Sequence, residues 1–152
     1  MNLQNTMTEV FKMATAILYY SLSGKTKAYA EKTAAETGAE LFEVCEAKKR
    51  NGFTAFFPGI FQAGGMKHTP IVPPGADLSA YDEIVIMGPI WAGHAAPAVN
   101  SITDLLPEGK TVSLVCTSGS GGYDIPKTAA LVTAKGCTVK EVRCLKAEDL
   151  AG

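Results

Sequence analysis

Directly behind the apolar run Ala14-Thr15-Ala16-Ile17-Leu18-Tyr19-Tyr20 stands a short polar loop, Ser21-Leu22-Ser23-Gly24-Lys25-Thr26, and a helix-forming stretch follows it to Thr37. A buried strand, a hydroxyl-rich turn with one glycine and a helix start are the parts of an anion site. Free backbone N–H groups and the positive helix end face outward together there. Hydroxyls at Ser21, Ser23 and Thr26, with consecutive backbone donors, suit a phosphate monoester and need no arginine. The alternative is a plain hydroxyl-rich cap, with Thr26 as the N-cap of the helix. The spaced glycine pair of a nucleoside-triphosphate loop is missing before Lys25, which disfavours triphosphate hydrolysis.

From Ala14 onward, strand-like and helical stretches alternate, which implies a parallel sheet covered on both faces. The first strand is expected over 14–20 and the first helix over 26–37, stopped by Gly38. Residues 39–45 alternate as a short second strand. The 48–82 stretch reads as a broken helix around Phe53–Phe61, interrupted by Pro58 and Gly59, followed by an extended connection over 69–77. A third strand is expected over 82–88, a loop over 89–97 and a helix over 96–106. A fourth strand follows over 110–116, then a glycine-rich loop over 117–123, a helix over 125–135 and a last strand over 138–145. Five strands joined by right-handed crossovers make an α/β fold, a doubly wound three-layer sandwich with a five-stranded parallel sheet. Ligands of such sheets bind beyond the carboxyl ends of the strands.

Length supports one domain, residues 14–152, with 1–13 as an N-terminal extension. A formal net charge of −1, with no basic stripe beyond Lys48-Lys49-Arg50, argues against nucleic acid as a partner. No apolar run reaches membrane-spanning length, and the first residues lack a signal-peptide pattern. Cys45, Cys116, Cys137 and Cys144 form no CxxC pair and have no histidine at metal spacing. They read as small buried hydrophobes of a reducing, cytoplasmic compartment.

Two further loops share the edge that carries Ser21–Thr26. The first, Gly88-Pro89-Ile90-Trp91-Ala92-Gly93-His94, holds the chain's one tryptophan. Trp91 is either a flat stacking face for a ligand or a plug of the core. His94 reads as a surface or capping histidine, since no carboxylate or cysteine stands at pairing distance in the sequence. The other loop, Thr117-Ser118-Gly119-Ser120-Gly121-Gly122-Tyr123, again joins glycines to an aromatic. It is either a close backbone approach to a ligand, with Tyr123 flanking a ring, or a plain Gly/Ser connection.

These three motifs, in this order, resemble the flavodoxin-like FMN-binding proteins, the short flavodoxins and their NAD(P)H-dependent reductase relatives. Ile17–Thr26 is similar to the family's first strand and phosphate loop, Tyr81–Gly93 to its third strand and ring loop, and Val115–Tyr123 to its fourth strand and second ring loop. The resemblance spans about 14–145 and implies strand order 2-1-3-4-5, with non-covalent FMN as cofactor. It implies that Ser21, Leu22, Ser23, Gly24, Lys25 and Thr26 hold the phosphate. It places Pro89, Ile90, Trp91, Ala92 and Gly93 along the ring, with a carbonyl at Ala92 or Gly93 accepting the proton at ring N5. Thr117, Ser118, Gly119, Gly122 and Tyr123 are implied to reach the ribityl chain and the ring's polar edge. No residue is implied to be catalytic and no metal is implied.

Two departures bear on function. Carrier flavodoxins are usually strongly acidic, whereas this chain is nearly neutral, which weakens docking to basic partners. The stretch after the last strand, Lys146–Gly152, is too short for the family's closing helix. One sheet face is therefore expected to need cover from Thr8–Met13, through Val10 and Phe11, or from a second subunit in a homodimer. Two redox readings stay open. One is a flavodoxin passing electrons to a partner protein; the other is an NAD(P)H-dependent oxidoreductase reducing a quinone or similar small acceptor. A non-redox phosphate-binding module is more distant. A response regulator is disfavoured, because Ser21–Ser23 and Gly88-Pro89 stand where it needs acids.

Overall fold

The computed structural model describes residues 14–47, 68–91, 93–118 and 125–146. The expectations for the extension 1–13, the Phe53–Phe61 segment and the tail beyond Lys146 lie outside the described residues. The first strand, β1 (Thr15–Tyr19), is buried over most of its length, as an apolar strand covered on both faces must be. Helix α1 (Lys25–Thr37) follows and ends at Gly38, whose left-handed φ of 77° lets its N–H reach the Ala34 carbonyl at 2.9 Å. Strand β2 (Glu40–Glu43) lies parallel to β1. Next come β3 (Cys45–Glu46) and β4 (Ile71–Val72), which pair antiparallel, so the expected 69–77 connection carries a short strand of its own.

The remaining elements are β5 (Glu83–Trp91), β6 (His94–Ala95), α2 (Pro97–Thr103), β7 (Thr111–Ser118), α3 (Pro126–Ala134) and β8 (Thr138–Lys146). The main sheet runs β2-β1-β5-β7-β8, and its strands pair parallel. With β5, β7 and β8 as the third, fourth and fifth long strands, this is the 2-1-3-4-5 order of the flavodoxin-like fold. The order reverses between β1 and β5, where ligands of doubly wound sheets bind.

Two expected boundaries are corrected. The 89–97 loop is instead a hairpin: β5 runs through Pro89 to Trp91, and β6 folds back so that Trp91 opposes His94 and Ile90 opposes Ala95. Gly93, just before β6, has the positive φ of 80° that tight hairpin connections favour. Pro89 lacks an N–H, but its carbonyl accepts from Ala96 N at 3.0 Å and closes the hairpin's foot. The helix expected over 96–106 stops at Thr103. Asp104, Leu105 and Leu106 take i→i−3 bonds instead, and Pro107 disfavours the helical conformation at the residue before it.

Side-chain alternation sorts the core into two layers. Leu18, Ile84, Ile86, Val112 and Leu114 form the larger cluster with Val99 and Ile102 of α2 and Val132 of α3. Ile17, Tyr19, Met87 and Val115 form the smaller one on the opposite face, with Ala30 of α1. No helix among the described residues is long and apolar enough to cross a membrane.

Candidate functional site

Because β1, β5 and β7 are parallel, the segments that follow them leave the same edge of the sheet. Contacts far apart in sequence gather those segments. Thr26 Oγ1 and Thr117 Oγ1 share a buried hydrogen bond of 2.9 Å across 91 residues, tying the first turn of α1 to the end of β7. The Tyr20 ring meets Trp91 edge to face, centroids 6.1 Å apart at 75°, tying the end of β1 to the hairpin. Tyr20 N also donates to the Met87 carbonyl at 3.0 Å.

Local chemistry explains the first turn. Ser21 Oγ accepts from Gly24 N at 3.0 Å, closing a tight turn that delivers the chain to α1. Gly24, not Thr26, is the N-cap: it sits at φ 94°, and no side chain caps the helix. Thr26 is instead the second residue of α1, buried and held by Thr117. Its short hydroxyl is used inward because the sheet edge offers it a partner there. Ser23, Gly24 and Lys25 are exposed, and Leu22 is an exposed apolar residue at 40%. The first intrahelical bond runs from Ala28 N to the Gly24 carbonyl, so the N–H groups of Lys25, Thr26 and Lys27 remain available at the helix's positive end. This donor set fits a phosphate dianion.

Two substitutions test this local reading. Gly24→Ala has free space around the added carbon, so its cost is backbone strain alone. A loss of about 1–2 kcal/mol in denaturant unfolding is expected, with Gly24→Asn losing less. Thr26→Val keeps the shape but removes a partner from the buried Thr117 hydroxyl. It should cost about 1–3 kcal/mol by the same measurement.

In the second segment, Pro89, Ile90, Trp91 and Gly93 are all half-buried, and Ala92 lies outside the described residues. Trp91 packs against the larger core cluster and remains half-buried at the end of β5 beside Tyr20. In the third segment, Thr117 is buried and Ser118 half-buried at the end of β7, while Gly119, Gly122 and Tyr123 lie outside the described residues.

Sequence reasoning missed a cleft of about 250 Å³ between the hairpin and the start of α3, bordered by Gly93, His94, Ile125, Lys127 and Thr128. Its far wall is anchored by a buried 2.9 Å bond from Thr128 Oγ1 to Asn100 Oδ1, which locks α3 to α2. The signal was weak in sequence, since the hairpin that builds the near wall read as loop.

The cysteines are not uniformly buried. Cys116 and Cys137 are, but Cys45 is exposed and Cys144 half-buried. Cys45 lies in the short β3, outside the main sheet. Burial pushes the Cys116 thiol up to about 12, with Cys144 adding to it, so no thiolate forms there near neutrality. Among the described residues, no group of histidine, cysteine and carboxylate side chains is placed to hold a metal.

No family model matches the chain, and no curated protein matches it. Solved structures do. A flavoprotein from Lactobacillus acidophilus NCFM in complex with FMN is similar with a TM-score of 0.71 and 27% identity, over 88% of this chain and 93% of that one. A candidate flavoprotein from Bacteroides uniformis ATCC 8492 gives 0.74 and 23% over 91% and 95%. Two-electron reduced flavodoxin from Megasphaera elsdenii gives 0.51 and 18% over 90% and 94%. At their identities, the last two bear on the fold alone.

Proposed function

We propose that this chain, which has the flavodoxin-like fold and resembles its FMN-binding members, is a redox protein that holds FMN non-covalently at the β1, β5 and β7 edge. The observation that carries this reading is the uncapped N-terminus of α1, bonded through Thr26 to the end of β7 at 2.9 Å. The proposed phosphate site is thereby tied directly to the end of β7. The likeness to the FMN-complexed flavoprotein supports the same cofactor.

In this reading the N–H groups of Lys25, Thr26 and Lys27, with the Ser23 hydroxyl, hold the phosphate. Trp91 flanks the ring, and Ala92 and Gly93 present backbone at its edge. Thr117, Ser118, Gly119, Gly122 and Tyr123 reach the ribityl chain and polar edge. FMN when bound supplies the one- and two-electron chemistry, and the protein binds, orients and shields it. The negative phosphate and the largely apolar walls disfavour further negative charge in the site.

The first role is electron transfer to a partner protein. The cleft beside His94 and Lys127 favours a second, reduction of a small acceptor with NAD(P)H. The test is a visible spectrum after FMN is added and the protein is desalted. A retained, shifted flavin band is expected, with riboflavin washed away under the same conditions. Colourless protein overturns the reading, and equal retention of the two ligands overturns the phosphate site. NADPH bleaching the bound flavin unaided indicates the reductase; bleaching only with an added reductase protein indicates the carrier.

A further inference from the structure

The segments proposed to surround FMN are tied to one another by pairs of side chains. Thr26 and Thr117 join the first to the third, and the contact of Tyr20 with Trp91 joins the first to the second. A third tie lies behind the cleft, where Thr128 Oγ1 donates to Asn100 Oδ1 at 2.9 Å. It connects the helices that follow the second and third segments. Asn100 is the fourth residue of α2 and Thr128 the third of α3. Both are withdrawn from solvent, at 0% and 1% exposure. Val99, Ile102, Ile125 and Val132, close to them along the two helices, belong to the larger apolar cluster.

We infer that Asn100 and Thr128 are positioning residues of the flavin site. Their bond holds the first turn of α3 in register with the hairpin and so sets the opening available to the isoalloxazine ring. This inference rests on the FMN reading proposed above.

Helix α2 is itself placed by the hairpin. The Pro89 carbonyl accepts from Ala96 N at 3.0 Å, immediately before α2 begins. Val99 then fills the space that a side chain at Gly88 of β5 would take. Asn100 is the next residue, so its bond passes the placement of the hairpin on to α3. Apolar contacts would not do this alone. Burial is non-directional, and a helix can shift along an apolar face with little change in buried area. A buried hydrogen bond has a narrow geometry, and breaking it strands the Asn100 oxygen away from water. Thr128 stands where such a shift matters. Ile125, Lys127 and Thr128 border the cleft of about 250 Å³ on one side, with Gly93 and His94 on the other. Movement of the first turn of α3 therefore changes the width of the cleft directly.

Two readouts on the full chain test the inference. Trp91 is the chain's one tryptophan, so its fluorescence reports on the hairpin without any flavin. Thr128→Val keeps the side chain's shape and removes the hydroxyl. In the flavin-free protein it should shift Trp91 emission to the red and make it easier to quench with acrylamide. It should also raise the Kd of FMN and of riboflavin alike by about tenfold, the scale of one lost buried hydrogen bond. Thr128→Ser restores the hydroxyl and should return the emission to wild type and both Kd values to within about twofold. Val132→Ala, in the same helix, lowers the urea midpoint through packing alone and should move neither readout.

Wild-type protein that retains no flavin overturns the FMN reading, and this inference falls with it. Where the wild type does retain FMN, several results overturn the inference alone. These are a Thr128→Val protein with unchanged emission or unchanged affinities, a loss confined to FMN, and a Val132→Ala protein that moves both readouts as far. Should Thr128→Val not fold, Thr128→Ala replaces it, since the smaller side chain leaves room for a water to reach Asn100. The same outcomes then apply, with a loss of at least about threefold expected.

Discussion

Gly88→Ala is expected to lower stability by about 1–3 kcal/mol, the scale of forcing one methyl into a packed core. A carbon added at Gly88 would overlap Cγ2 of Val99 and sit 3.6 Å from its Cβ, with the Tyr20 carbonyl at 3.8 Å. Val99 cannot swing aside cheaply: it is 1% exposed on α2, and a β-branched residue in a helix has one strongly preferred rotamer. The strain must push α2 from β5 or twist Val99 off its rotamer. Gly88 thus sets how closely the helix after the hairpin approaches the sheet, and so the depth of the whole second segment. Urea midpoints of Gly88→Ala, Val99→Ala and the double variant measure it. Val99→Ala removes the clashing methyls, so the double variant should lose clearly less than the sum of the single losses. Additive losses, or a Gly88→Ala protein within about 0.5 kcal/mol of wild type, would show that the close approach costs nothing.

What the sequence made legible follows the range of the forces involved. The β1 strand, its turn and α1 were readable because apolar run, turn residues and helix formers all act within a few residues. The parallel order followed from the alternation, and Gly38 marked its helix end through a local φ requirement. The misreadings have a common cause. Pro89 and Gly93 are loop signals by themselves, yet β6 folds back and pairs with residues 90 and 91. Thr26 looked like a cap because its true partner, Thr117, stands 91 positions away. Cys45 looked buried because a two-residue strand outside the main sheet leaves almost no pattern.

Trp91→Ala is expected to weaken FMN binding by about 1–3 kcal/mol, the scale of a lost aromatic stacking contact, or roughly 5- to 150-fold in Kd. The expectation rests on where the indole stands. Trp91 ends β5, opposite His94 of β6, and is half-buried with its ring edge to face against Tyr20. Tyr20 immediately precedes the Ser21–Gly24 turn proposed to hold the phosphate, so its contact with Trp91 links that turn to the hairpin. Trp91 also packs on the larger core cluster, so truncation must destabilise the free protein as well. The two effects separate by experiment. Trp91→Phe keeps a flat apolar ring and should recover part of the affinity, and urea unfolding without FMN isolates the packing loss. Were the indole only a plug, the Trp91→Ala midpoint would fall while FMN titration of the folded protein stayed at its wild-type Kd. A fall in affinity for both FMN and riboflavin, with their ratio unchanged, is the result expected of a ring contact, because the proposed phosphate site lies apart from Trp91, at the start of α1.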